Sequence, residues 1–148
     1  MGLQKQVMDK MKEAMKLKDT TALTALRALK AAFMLANTET GAGQISEDEA
    51  LKIIQKQVKQ RKDSATIFAQ QGRQDLATPE LTEAKVLEQF LPEALSEQEI
   101  AKVVAQVIEK TGATGMKDMG KVMGIVSKQL AGQADGATIS TIVKQTLA

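Results

Sequence analysis

Neither cysteine nor histidine occurs in these 148 residues, and tryptophan and tyrosine are missing as well. Without cysteine there is no disulfide, no thiolate nucleophile and no Cys-based zinc or iron–sulfur site, in keeping with a reducing compartment. Without histidine, the commonest general base near neutral pH and the commonest metal ligand are both gone. Ser-His-Asp chemistry, H-E-x-x-H zinc sites and imidazole proton shuttles are thereby excluded, and any catalysis has to run on carboxylates, lysines and hydroxyls. No metal and no cofactor is expected. Aromatic rings are reduced to Phe33, Phe68 and Phe90, too few for the stacking platforms that grip single-stranded bases.

Long apolar runs are also lacking. The opening stretch Met1 to Val7 has no apolar signal core, and no segment approaches the roughly 20 apolar residues of a membrane span, so a cytoplasmic protein without a membrane partner is expected. Gln6 stands where a myristoylation signal on Gly2 has Ser or Thr. Charge of one sign is scarce too: 20 Lys+Arg face 18 Asp+Glu, for a net charge of +2 and a pI near 8.8. Residues 1–93 carry 14 basic and 13 acidic side chains and the remainder 6 and 5, so neither part is strongly basic. A nucleic acid would have to be met by a local cluster of basic groups, through shape and phosphate contacts.

Helical periodicity fills the chain, and no window shows sustained period-two alternation. Leu3, Val7, Met11, Ala14 and Met15 predict a first helix ending near Asp19. Leu23, Leu26, Leu29 and Phe33 predict a second, with Asn37–Gly43 as a loop. Ser46-Glu47-Asp48-Glu49 reads as a capping box opening a long third helix to about Gln71. Its inward stripe, Ala50, Ile53, Ile54, Val58, Ala65 and Phe68, is interrupted by Gln57 and Arg61. Lys52, Lys56, Lys59 and Lys62 line a neighbouring face, a basic ridge or simply a solvated surface. Gly72-Arg73 breaks the pattern, and Thr78-Pro79-Glu80 predicts a fourth helix with proline in its first turn, running towards Phe90.

Pro92 stops that helix, and Leu91–Leu95 reads as a joint. The expected architecture is all-α, with a larger N-terminal helical domain over residues 1–93 and a small C-terminal three-helix domain over residues 94–148. In the latter, Ser96-Glu97-Gln98-Glu99 is a second capping box before Ile100, Val103, Val104, Val107 and Ile108, and Thr111-Gly112 ends that helix. Asp118 is the expected N-cap of a helix burying Met119, Val122, Met123, Val126 and Leu130. Asp135-Gly136 opens the last helix, on Ile139, Ile142, Val143 and Leu147.

Gly120 and Gly124 are set into the Asp118 helix, where each glycine costs about 1 kcal/mol against alanine. Either a neighbouring helix packs closely there or a partner such as a nucleic-acid backbone approaches, and the spacing taken alone favours packing. Gly115 to Lys121 also matches the G-x-x-x-x-G-K core of a phosphate-binding loop. That reading fails at Val122, where a hydroxyl must reach magnesium, and at Ile100–Lys110, which is patterned as helix rather than strand.

Several segments, in this order and spacing, resemble the YqeY family: Arg27-Ala-Leu-Lys30-Ala-Ala, Lys59-Gln60-Arg61-Lys62-Asp63-Ser64, Gly72-Arg73-Gln74-Asp75-Leu76, Phe90-Leu91-Pro92 with Leu95-Ser96, Asp118 to Gly124, and Ala134-Asp135-Gly136. The family shares a domain with the tail of the aspartyl/glutamyl-tRNA amidotransferase B subunit, and the resemblance covers nearly the whole chain. It implies an all-helical fold and a C-terminal domain similar to a tail that contacts the outer corner of tRNA. By that analogy, Gly120 and Gly124 let RNA approach while Lys117, Lys121 and Lys128 supply charge. The amidotransferase's ATP and magnesium site belongs to a separate cradle domain that these residues do not include, so its chemistry is not carried over.

Three functions follow. A tRNA-binding accessory protein assisting amidation is preferred. The second is a carbon–nitrogen ligase with glutamine as amide donor, by family relationship, with Arg61, Asp63, Ser64, Arg73 and Asp75, beside Lys59, as candidate catalytic residues. These same residues are more readily taken as ion pairs, Arg61 and Arg73 with Asp63 or Asp75, tying the long helix to its neighbours. The third is a module docking on an amidotransferase or an aminoacyl-tRNA synthetase.

Overall fold

A computed structural model of the chain describes residues 2–41 and 43–148, and every regular element among them is helical. Met1, first residue of the expected N-terminal domain, and Ala42, in the expected 37–43 loop, lie outside the described residues. The chain divides into two compact units, Met1–Leu91 and Pro92–Ala148, and each buries a cluster of its own.

The first unit holds α1 (Leu3–Leu17), α2 (Thr20–Thr40), α3 (Glu47–Gln70) and α4 (Gln74–Glu88). Lys18, at φ 55°, turns the chain out of α1, and the Asp19 carboxylate caps α2 by accepting from the Ala22 N–H at 3.1 Å. The apolar spacing of these helices is what fills the core. Val7, Met11 and Ala14 of α1 meet Ala25, Leu26, Leu29 and Phe33 of α2, Ala50, Ile54 and Val58 of α3, and Ala84 and Leu87 of α4. The expected loop at Asn37 is instead helix through Thr40, closed by Gly41 at φ 68°. Asn37 has other work that holds it in the helix: its Nδ2 donates to Gln4 Oε1 at 3.0 Å and its Oδ1 accepts from the Ile45 N–H at 2.9 Å.

Ser46 accepts from the Glu49 N–H at 3.1 Å, as a cap should. The reciprocal half of the expected box is not formed there, because Glu49 Oε1 takes the Ser46 hydroxyl at 3.2 Å instead of the backbone N–H. The fourth helix begins at Gln74, well before Pro79. Gly72, at φ 73°, turns the chain, and the Arg73 carbonyl then accepts from the N–H groups of Leu76 and Ala77 at 3.1 and 3.0 Å. Starting early buries Ala77 against α3. It costs one backbone bond, since Pro79 cannot donate to the carbonyl of exposed Asp75.

Beyond Val58 on α3 and before Ala84 on α4, the buried apolar residues are only Ala65 and Ala77, and neither belongs to the core cluster. At 24 residues, α3 is about 36 Å long. In its outer portion only Ala65 is fully buried and Phe68 is half-buried, with Ile67, and Leu76 and Leu81 of α4, exposed.

The second unit holds α5 (Glu97–Thr111), a 3-10 turn (Met116–Asp118), α6 (Met119–Gln129) and α7 (Gly136–Leu147). Its capping box at Ser96 is complete: the hydroxyl accepts from the Glu99 N–H and the Glu99 carboxylate accepts from the Ser96 N–H, both at 3.2 Å. Gly112, at φ 68°, ends α5, and Asp135 caps α7 by accepting from the Thr138 N–H at 2.7 Å. Ile100, Val104 and Val107 of α5, Val122 and Val126 of α6, and Ile139, Ile142 and Val143 of α7 make one buried cluster. The Leu95 N–H donates to the Gln133 carbonyl at 3.0 Å, tying the entry of α5 to the α6–α7 connection.

Candidate nucleic-acid interface

The segment after α5 is shaped by short-range bonds. Thr114 donates its N–H to Asp118 Oδ2 at 3.0 Å, and the Asp118 N–H donates to the Gly115 carbonyl at 3.0 Å. The carboxylate expected to cap α6 thus points back instead, and α6 grows directly out of the 3-10 turn without a side-chain cap. Asp118 is the only acidic residue from Lys110 to Ala134, and this bond draws it towards Thr114.

Once Val122 and Val126 are buried, the 100° step of an α-helix dictates what the opposite side of α6 presents. Gly120, Gly124 and Lys128 follow one another at increments of about 40°, and Lys121 lies beside them, so the four share an arc of about 100°. All four are exposed, and so is Lys117 in the preceding turn. The three lysines span about 16 Å along the axis. None of them is in an ion pair; the pairs among the described residues lie elsewhere, in the first unit.

The two glycines bear on one of the competing readings of this helix, close packing on a neighbour. A Cβ built at Gly120 or Gly124 meets nothing within 4 Å, so no neighbouring helix of the unit requires either glycine to be bare. Within this unit the packing role that their spacing suggested is not filled. They leave an open strip of helix backbone, with lysines beside it, facing solvent. Gly115, Gly120 and Lys121, the loop-like motif, follow a helix rather than a strand, in line with its rejection as a nucleotide site.

The candidate catalytic residues are not brought to one place. Asp63 pairs with Lys59 at 3.0 Å on the outer side of α3, while Arg61 lies about 160° away around the helix from Asp63. Arg73 and Asp75 hold each other at 3.0 and 2.9 Å through two parallel bonds. That contact keeps the Asp75 carboxyl below the usual carboxylate range and raises the guanidinium further. The pair is exposed and local to the start of α4, so it contributes little to holding helices together. Ser64 is half-buried. Arg61 forms no ion pair with Asp63 or Asp75, contrary to that expectation, since its Nη1 donates to Gln57 Oε1 at 2.7 Å and to the Gln57 carbonyl at 3.3 Å. Its Nε is buried without a partner.

What sequence reasoning missed is Glu83 of α4. Burial pushes its carboxyl up, Arg61 opposes that shift by its charge, and Glu80 adds to it. Nothing in the spacing of Glu80 and Glu83 marks them as lying towards α3, because that spacing does not reveal the early start of α4. The lysine ridge of α3 is partly neutralised: Lys59 is taken by Asp63, and Lys62 meets Glu88 at 2.6 Å. Among the described residues, no helix is long and apolar enough to cross a membrane.

The chain is 31% identical over 141 residues to "Altered inheritance of mitochondria protein 41, mitochondrial" of Pyrenophora tritici-repentis, covering 93% of this chain and 76% of that protein. The protein of the same name in Clavispora lusitaniae is 32% identical, across 81% of this chain and 69% of its own length. The E subunit of the glutamyl-tRNA(Gln) amidotransferase of Thermococcus gammatolerans is 34% identical over 73 residues, which is 47% of this chain and 12% of that protein. The family described as Yqey-like protein matches residues 4–147, and with that extent of agreement the chain belongs to the YqeY family.

Proposed function

We propose that this protein is a tRNA-binding accessory factor in tRNA-dependent amidation, gripping tRNA through the glycine and lysine arc of α6. The observation that carries the reading is the open space over Gly120 and Gly124. Two residues that weaken a helix, with no neighbour in their own unit to pack on, share an arc with Lys121 and Lys128, and Lys117 is exposed in the turn before. Such a surface suits a sugar–phosphate backbone: lysines meet phosphates, and bare Cα positions let a ribose come close. Similarity to a protein named as part of a glutamyl-tRNA(Gln) amidotransferase supports an accessory role beside that machinery. The dispersal of Arg61, Asp63, Ser64, Arg73 and Asp75 gives a ligase reading no comparable support. A cytoplasmic location is part of the same proposal.

The test is a titration of purified protein with total cellular tRNA at two salt concentrations, with an unstructured RNA of equal length as competitor. Preferential, salt-dependent binding to tRNA that is lost in Lys121→Glu, with helicity intact, is the expected result. Equal binding to both RNAs, or unchanged affinity in the variant, removes the α6 arc as the site.

A further inference from the structure

Large apolar side chains are left exposed at eight described positions, and in Pro92–Ala148 the one such position is Met116, 49% exposed. Its place is informative. Met116 opens the 3-10 turn, and its carbonyl accepts the Met119 N–H, so its side chain stands one turn ahead of Gly120 and next to Lys117. Gly115 precedes it with extended backbone, and a Cβ at Gly115 or Gly120 would meet nothing. Met116 thus lies between Gly115 and Lys117 in sequence, one turn before Gly120, where the lysine arc begins. The same unit contains no aromatic ring, since Phe33, Phe68 and Phe90 all precede it. Any contact that a large exposed apolar side chain of this face makes with a nucleobase therefore falls to Met116. A flexible, polarizable thioether suits the flat face of a base, and methionine is among the side chains that wedge against base steps.

We infer that Met116 is the base-contacting residue of this face, packing on an unstacked or terminal base while Lys117, Lys121 and Lys128 hold the backbone. The site then selects RNA whose fold presents an open base face beside its sugar–phosphate backbone, over uninterrupted duplex. This inference rests on the α6 arc being an RNA site.

The experiment compares an RNA hairpin with an unpaired loop against a blunt RNA duplex of equal phosphate count, for the full chain and for Met116→Ser, Met116→Leu and Lys121→Glu. The wild-type chain is expected to prefer the hairpin. Met116→Ser should lose about tenfold on the hairpin and nothing on the duplex, Met116→Leu should retain the preference, and Lys121→Glu should weaken both. A 2-aminopurine in the loop should change its emission on binding wild type and not on binding Met116→Ser. Circular dichroism verifies that Met116→Ser keeps its helices. Equal wild-type affinity for the two RNAs, or a Met116→Ser protein that binds like wild type while Lys121→Glu fails on both, overturns the base contact and leaves RNA binding standing. Failure of the wild type to bind either RNA takes away both readings.

Discussion

Gly124 is helical, exposed and without any neighbour that its missing Cβ would touch, so the usual trade between stability and activity can be read at a single atom. Gly120→Ala and Gly124→Ala should each stabilise the fold by about 0.5–1 kcal/mol, raising the thermal midpoint, because alanine restores helix propensity without a clash. Under the proposed function the same substitutions should weaken tRNA binding, as each methyl would stand in the path proposed for a ribose. A midpoint that falls would show that the glycines serve the fold after all. Glu83 offers a second prediction at this scale. Its carboxyl is raised in the folded chain by burial, against the pull of Arg61. For an acid raised on folding, the favourable contribution is present below the unfolded value and is lost as pH rises through the folded one. Ionised Glu83 is therefore a cost at neutral pH. Glu83→Gln should be more stable than wild type there, with the difference vanishing below the carboxylate range, as thermal melts across pH will show.

At the scale of elements, apolar spacing and caps carried most of the information. The stripes of α1, α5 and α7 supply the buried faces of those helices, except that Met15 of the expected α1 stripe is exposed, and Ser46, Ser96 and Asp135 each cap the helix they precede. The misreadings at Asn37 and Asp118 share a cause: a bonding partner of the side chain lies outside the local pattern. Asn37 has the look of a loop residue, yet Gln4 and Ile45 claim its amide. Asp118 has the look of a forward cap, yet Thr114 takes its carboxylate. Pro79 resembles a first-turn proline because nothing in the sequence says that Ala77 will be buried against α3. That alanine and Ala65 set how closely the outer turns of α3 and α4 approach. Ala65→Leu should accordingly part the outer turns of α3 and α4 by overpacking, seen as faster amide exchange there with little change in the global denaturant midpoint, while an exposed neighbour such as Thr66→Leu has little effect on either.

Across the whole molecule, charge is close to balanced, and that sharpens the test of binding. With 20 basic and 18 acidic side chains, any salt-dependent attraction for RNA has to come from where the lysines stand rather than from how many there are. Each phosphate neutralised changes the slope of log affinity against log salt by about 0.7–0.9. Lys121→Gln and Lys128→Gln should each reduce that slope by about one contact, whereas Lys52→Gln and Lys56→Gln on α3 should leave it unchanged. The candidate site was legible in the sequence as a set, because Gly120, Lys121, Gly124 and Lys128 share a face at helical spacing. Its character was not. Whether a bare glycine faces a neighbour or open space depends on where α5 and α7 lie, and no local spacing contains that. The scatter of Arg61 and Asp63 is hidden for the opposite reason: nearness in sequence suggests a cluster, although α3 turns the two about 160° apart, while Asp75 stands on α4 in a local pair with Arg73.

The outer stretch of the α3–α4 hairpin has a kinetic consequence. Its buried residues are two alanines outside the core cluster, with Phe68 half-buried, so these turns should open by themselves, below the free energy of global unfolding. Amides from about Ala65 to Ala77 should then exchange with deuterium ahead of those in α1 and α2. Trypsin under native conditions should find its first foothold at Arg73, on the turn that joins the two helices.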